Sequence, residues 1–280
     1  LGNNNTDSLL QPTETSGNFY RNFYGQSVSI NYNGDIIAVM SVHDEIIDAI
    51  STASGSHAIR LYSLSDDSNS QWQQMGNTIG RMARHDRSIW DGAVSLNKSG
   101  TILAVGCPEA GAGNLFMLLV GSVRIYEYKV PSVEEWGSTY SYSYDVGSTT
   151  YTKSYNTVIK GSETTQEAGK KYIVLDTQLY QEADDWANDG KYFGDAVSLN
   201  DSGNMIIIGA SASADWGSST HSFVGKTRVY RKINSTWTQL GSELSGYDHG
   251  ALSTTTKEIG QFGKTVDING EGNIICIGGP

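Results

Sequence analysis

The sequence predicts an all-β fold, and three observations predict it. A unit of two short apolar runs around a polar turn occurs four times along the 280 residues. Within each unit the apolar residues follow strand spacing, alternating in one run and continuous in the other. Helix-type periodicity is nearly absent, and 32 Gly and 16 Tyr stand beside only 4 Pro, the composition of a chain with many turns.

The third copy shows the unit most clearly. Val197 and Leu199 alternate with Ser198 and Asn200, as in a strand with one buried face. Met205 to Ile208 is unbroken apolar sequence, expected of a strand covered on both sides. Between them Asn200-Asp201-Ser202-Gly203 reads as a hairpin turn, with Asn bonding the nearby backbone and Gly taking the left-handed position. The other turns repeat Asn31 with Gly34, Asn97 with Gly100, and Asn269 with Gly272.

Two further strands complete each repeat. The third reads Ile59-Arg60-Leu61-Tyr62, Val123-Arg124-Ile125-Tyr126 and Thr227-Arg228-Val229-Tyr230. The fourth reads Trp72-Gln73-Gln74-Met75-Gly76 and Trp237-Thr238-Gln239-Leu240-Gly241. Four antiparallel strands per repeat make the blade of a β-propeller. The turn glycines fall 66 apart (34 to 100), 103 apart (100 to 203) and 69 apart (203 to 272). The long interval assigns an insertion to the second blade, within what loops on a repeat scaffold tolerate.

The unit resembles the FG-GAP repeat of integrin-alpha-type β-propellers. The opening signature stands at Phe193-Gly194 and Phe262-Gly263, with Tyr24-Gly25 as a variant. The closing one stands at Gly106-Cys107-Pro108, Gly209-Ala210-Ser211 and Gly278-Gly279-Pro280, while the first copy departs with Met40-Ser41. The resemblance covers nearly the whole chain outside the insertion. It implies blades at about 24–79, 90–182 and 193–246 and a half blade at 262–280, all in one segment spanning 1–280. The Tyr-rich insertion lies at about 130–175. Leu1-Gly2 matches the end of a fourth strand, and Pro280 ends a closing signature. Both termini therefore fall mid-repeat, and the expectation is a slice of a longer propeller, with partial blades at both ends; a complete chain whose two ends share one blade is the alternative.

Composition narrows the function classes. A net charge of −11 argues against nucleic acid as partner, since phosphate requires a cationic surface. The longest apolar run, Leu115 to Val120, is too short to enter and cross a membrane. Of the two cysteines, Cys276 aligns with Ala104 inside a second strand and Cys107 lies two blades away. No disulfide is expected at that separation, and buried free thiols are.

Candidate binding residues concentrate in the insertion. Tyr140, Tyr142 and Tyr144 alternate with serines, and Tyr151 and Tyr155 follow Asp145-Val146-Gly147-Ser148, which reads as a hairpin with an aromatic face. Such a face docks a sugar or a neighbouring subunit; the plainer alternative is cross-strand packing onto its own blade. Trp216, beside Asp215 in a loop, is a further sugar-stacking candidate. The apolar loop around Leu115-Phe116-Met117-Leu118-Leu119 is read as tucked under a blade. Asn4, Asn97, Asn200 and Asn234 begin Asn-x-Ser/Thr sequons, glycan acceptors if the chain is secreted by a eukaryote. Two of them fall on hairpin turns, where exposed Asn is expected in any case.

The search for chemistry returns little. His43 with Asp44, Glu45 and Asp48 does not meet a usual metal-ligand spacing and reads as an acidic turn. The four hairpin turns carry too few carboxylates for calcium, so no metal or cofactor is expected. None of the five histidines (43, 57, 85, 221, 249) stands in a recognisable nucleophile motif, and no enzyme is expected. Arg60, Arg124 and Arg228 share one frame position and are expected to pair with carboxylates or carbonyls of their own or adjacent blades. The resemblance implies a non-enzymatic extracellular or cell-surface glycoprotein module, structural or adhesive, whose partners are other protein subunits or surface glycans. A carbohydrate-binding propeller and an accessory domain of an enzyme are the alternatives.

Overall fold

The structure is a computed structural model that describes residues 23–43, 56–65, 71–80, 92–108, 121–146, 149–180, 192–211, 223–246 and 259–279. It is all-β, built from antiparallel sheets. The first sheet runs in chain order through β1 (Phe23–Ile30), β2 (Ile36–His43), β3 (Ser56–Leu64) and β4 (Trp72–Ile79). The second unit contains β5 (Ala93–Leu96), β6 (Ile102–Cys107) and β7 (Ser122–Lys129). A short helix α1 (Val133–Gly137), a separate hairpin β8 (Thr139–Val146) and β9 (Thr149–Asn156), and β10 (Val158–Ile159) interrupt it before β11 (Tyr172–Tyr180). The order across this sheet is β10-β11-β7-β6-β5.

The third unit repeats the meander with β12 (Phe193–Leu199), β13 (Met205–Ala210), β14 (Phe223–Ile233) and β15 (Thr236–Gln239). Two short strands, β16 (Leu244–Ser245) and β17 (Ile259–Phe262), also pair with β14. The fourth unit is the hairpin β18 (Thr265–Ile268) and β19 (Ile275–Gly278).

The repeated turn is an Asn-centred device. Asn97 Oδ1 accepts from the backbone N–H groups of Thr101 and Ile102 at 3.0 and 2.9 Å. Asn31, Asn200 and Asn269 accept from the matching pairs of amides. One side-chain oxygen thus holds two donors that the tight turn leaves without strand partners. The glycine closing each turn has φ between 70° and 77°, a left-handed conformation open to Gly at little cost.

Successive units pack first strand to first strand, β1 on β5, β5 on β12 and β12 on β18. Apolar clusters fill the junctions: Met40, Leu61 and Leu96 between the first two units, Ile125, Val197 and Ile208 between the next two, and Ile207 with Ile268 at the third. Serines from the polar face of each first strand reach across. Ser29 Oγ accepts from Leu96 N at 2.9 Å and Ser95 Oγ from Leu199 N at 2.9 Å. The turns also join to one another through the backbone, Tyr32 N–H to Lys98 O, Lys98 N–H to Asp201 O and Asp201 N–H to Gly270 O.

Both signature glycines are spent on these junctions. A Cβ on Gly106 would overlap the Gly194 carbonyl, and one on Gly209 the Gly263 carbonyl. Closing glycine and opening glycine of adjacent units therefore approach closer than any side chain allows.

Two sequence expectations need correction. The strand that closes the second sheet starts at Tyr172, inside the span of about 130–175 expected for the insertion, because Tyr172 to Leu175 pair with Lys129 to Tyr126 and a register shift separates Leu175 from Thr177. The thiols are both free, but only Cys107 is buried; Cys276 is exposed, because it lies on the face of β19 turned away from the third unit.

Candidate functional site

The insertion in the second unit is the candidate site, and a small polar framework supports it. Ser132 caps α1 in a capping box: its Oγ accepts from Glu135 N at 3.1 Å, and Glu135 Oε2 accepts from Ser132 N at 2.8 Å. Trp136 packs edge-on against Tyr172 with centroids 5.0 Å apart, while Lys160 Nζ sits 4.6 Å over the indole and donates to Trp136 O. Tyr172 donates to Glu163 Oε2, and Lys170 bonds both Glu163 and Glu167. The Tyr172 hydrogen bond, then Lys170, hold the Glu163 carboxyl below its ordinary pKa. Burial pushes the Tyr172 phenol up, and its bond to that carboxylate adds to the rise.

The hairpin β8–β9 stands on this base. Its register sets Tyr140 opposite Tyr155, Tyr142 opposite Lys153 and Tyr144 opposite Tyr151. Alternation places all six positions on one side of the hairpin. Tyr140 and Tyr155, nearest the base, are half-buried and pack on the apolar cluster between the first two units. These two tyrosines anchor the hairpin to its sheet. The register carries Tyr142, Tyr144, Tyr151 and Lys153 towards the hairpin turn, giving three aromatic positions and one cationic position on a contiguous side. Next to the anchor, Asn77 of β4 donates to Ile159 O at 3.3 Å, so the insertion is tied to the first unit as well as its own.

The remaining candidates distribute elsewhere. Asn97 and Asn200 are buried, not exposed, and their amide nitrogens donate to Ser99 and Ser202 within the turn. Asn234 is exposed at a tight turn with φ 49°. Asn4 and Trp216, together with 44–50, 109–120 and His85, His221 and His249, lie outside the described residues. Arg228 Nε donates to Glu243 Oε2 at 2.7 Å within its own unit. Burial opposes that guanidinium's charge, but Glu243 outweighs it and raises the pKa. Arg124 is buried.

One constellation escaped the sequence reading. Asp195, whose carboxylate is nearly inaccessible, accepts from Ser211 Oγ and from Lys264 Nζ at 3.1 Å. Asp195 and Lys264 hold the same place after the opening glycine in adjacent units, Gly194-Asp195 and Gly263-Lys264. Opposite charges at one repeat position were the readable signal. The pair bridges two units and is structural.

Among the described residues no group of three or more His, Cys, Asp or Glu is placed to hold a metal ion. No helix among them is long and apolar enough to cross a membrane. No family model matches the chain, and no curated protein matches it at a significant level.

Proposed function

We propose that the chain is an FG-GAP-like β-propeller module of the cell surface or extracellular space, non-enzymatic, mediating protein–protein contacts in a surface or filament assembly. Four units that stack through the same positions support the propeller reading, since radial repetition of four-stranded sheets is how propellers are built. One observation carries the contact reading: the hairpin register sets three tyrosine positions and Lys153 beyond the two tyrosines spent on anchoring. Tyrosine supplies large amphipathic area while ordering only two side-chain torsions, and interfaces use it for that reason. A glycan-binding propeller is the second reading, because the same aromatic positions suit sugar stacking.

The triple variant Tyr142→Ser, Tyr144→Ser, Tyr151→Ser tests the proposal. Its circular dichroism and melting temperature are expected to stay at wild-type values, because Tyr140 and Tyr155 still hold the hairpin. Binding to a protein partner recovered with the wild-type chain is expected to fall at least tenfold, in keeping with about 1.4 kcal/mol per decade and hot-spot tyrosines. Unchanged partner binding overturns the proposal. Loss of signal on a glycan array, with no protein partner affected, selects the carbohydrate reading.

A further inference from the structure

Between Thr139 and Asn156 the hairpin has one acidic and one basic residue, Asp145 and Lys153. The register puts them on opposite sides. Lys153 stands opposite Tyr142 on the tyrosine side, whereas Asp145 stands opposite Thr150 on the other. That other side is otherwise hydroxyl-rich, with Ser143 facing Thr152 and Ser141 facing Ser154, whose Oγ atoms lie 2.6 Å apart. One side of the hairpin therefore suits water, while the other is aromatic and cationic and includes no carboxylate position.

The base of the insertion shows the same division of charge. On the Trp136–Tyr172 side the lysines are spent. Lys129, opposite Tyr172 in register, bonds Glu127 and Glu135, and Lys170, over the Tyr172 ring, bonds Glu163 and Glu167. Lys160 lies over the Trp136 ring and donates to that residue's carbonyl. Lys171 belongs to the opposite side. Its Nζ lies 5.9 Å over the Tyr128 ring, and Tyr128 packs on the same apolar cluster as Tyr140 and Tyr155. Lys171 is exposed, and no carboxylate among the described residues bonds it. The tyrosine side thus has a cation at its foot and a cationic position further out, on a chain with 30 acidic and 19 basic residues. Charge set apart in this way selects partners of opposite sign.

The hairpin also offers backbone. β8 and β9 form a two-stranded sheet, and no third strand among the described residues pairs with either. An extended segment added along the outer edge of β9 takes main-chain hydrogen bonds and lays alternate side chains beside Tyr151 and Lys153. On the reading of the hairpin as a protein contact, we propose that its tyrosine side takes an acidic, extended segment of a partner protein along β9. A carboxylate of that segment meets Lys153, Lys171 adds attraction at the foot, and apolar residues lie on Tyr142, Tyr144 and Tyr151. The tyrosines supply contact area, and the lysines decide which segment is admitted.

Fluorescence anisotropy on the 280-residue chain tests this with three labelled peptides that alternate valine with glutamate, glutamine or lysine. At low salt the glutamate peptide is expected to bind about tenfold tighter than the glutamine peptide, and high salt is expected to erase the difference. Lys153→Glu is expected to reverse the order, admitting the lysine peptide and excluding the glutamate one, with circular dichroism and melting temperature unchanged. Lys153→Arg is expected to keep the wild-type order. Equal binding of the glutamate and glutamine peptides to the wild-type chain, or binding of neither, overturns the proposal, and that comparison needs no substitution. A folded Lys153→Glu variant that keeps the wild-type order overturns it as well. So does a heparin-derived oligosaccharide that binds where the glutamate peptide does not, a result that assigns the cations to an acidic glycan. The contact reading survives each of these results if the triple tyrosine variant still loses its protein partner, so the two fail separately.

Discussion

At the scale of single residues, departures from the repeat compensate one another. The first unit has Met40 where the closing glycine of later units stands, and the second opens with Trp90-Asp91-Gly92 instead of an aromatic residue and glycine. A Cβ on Gly92 would lie 2.6 Å from Met40 Sδ, so the displaced glycine makes room for the larger side chain. Where the regular pair is kept, backbone meets backbone. Gly209→Ala would drive a methyl into the Gly263 carbonyl, and a destabilisation of about 3 kcal/mol is expected by urea unfolding. Asn200→Ala strips the acceptor from two backbone amides, with an expected loss of about 2 kcal/mol. The same bonds bear on modification. If the chain is secreted by a eukaryotic host, peptide mapping is expected to find glycan at Asn234 but not at Asn97 or Asn200, whose amides are buried in their turns.

At the scale of elements, the insertion is a local structure with its own polar support. Glu163 links Tyr172 of β11 to Lys170 in the preceding loop, and its folded-state pKa lies below the ordinary glutamate value near 4.5. The sign follows from linkage: the ionised carboxylate stabilises the fold above that ordinary value, and the contribution is lost as pH falls through the depressed folded value. Amide protection of β10 and β11 is therefore expected to drop below about pH 4.5, and Glu163→Gln to flatten that acid limb in hydrogen exchange. The hairpin was legible in the alternation of Tyr140, Tyr142 and Tyr144. That Tyr140 and Tyr155 serve as anchors was not, because the cluster they join includes residues of the first unit such as Met40 and Leu61, far back in the chain.

At the scale of the whole molecule, stability is a sum of sheets and nearest-neighbour junctions, as in other repeat arrays. Ile268 of β18 is buried against Met205 and Ile207 of the third unit. Ile268→Ala is expected to weaken that junction by about 2 to 4 kcal/mol. Native-state hydrogen exchange should then show loss of protection in β18 and β19 and unchanged protection in β1 to β4. Equal loss across all units would contradict a nearest-neighbour account.

The first and second strands of each unit, the four Asn–Gly turns and the recurrence of the unit were determined by the sequence alone, because each depends on local spacing: alternation for a half-covered strand, a continuous run for a covered one, Asn and Gly for the turn. What only the tertiary structure decided is which face of each strand meets a neighbour. Asp195 and Lys264, Gly106 and Gly194, and Met40 and Gly92 are far apart in the chain and meet only when one sheet is laid on the next. For the same reason Cys276, which its position in the repeat marked for burial, is exposed: burial at that position comes from a following unit, and no such unit covers it among the described residues.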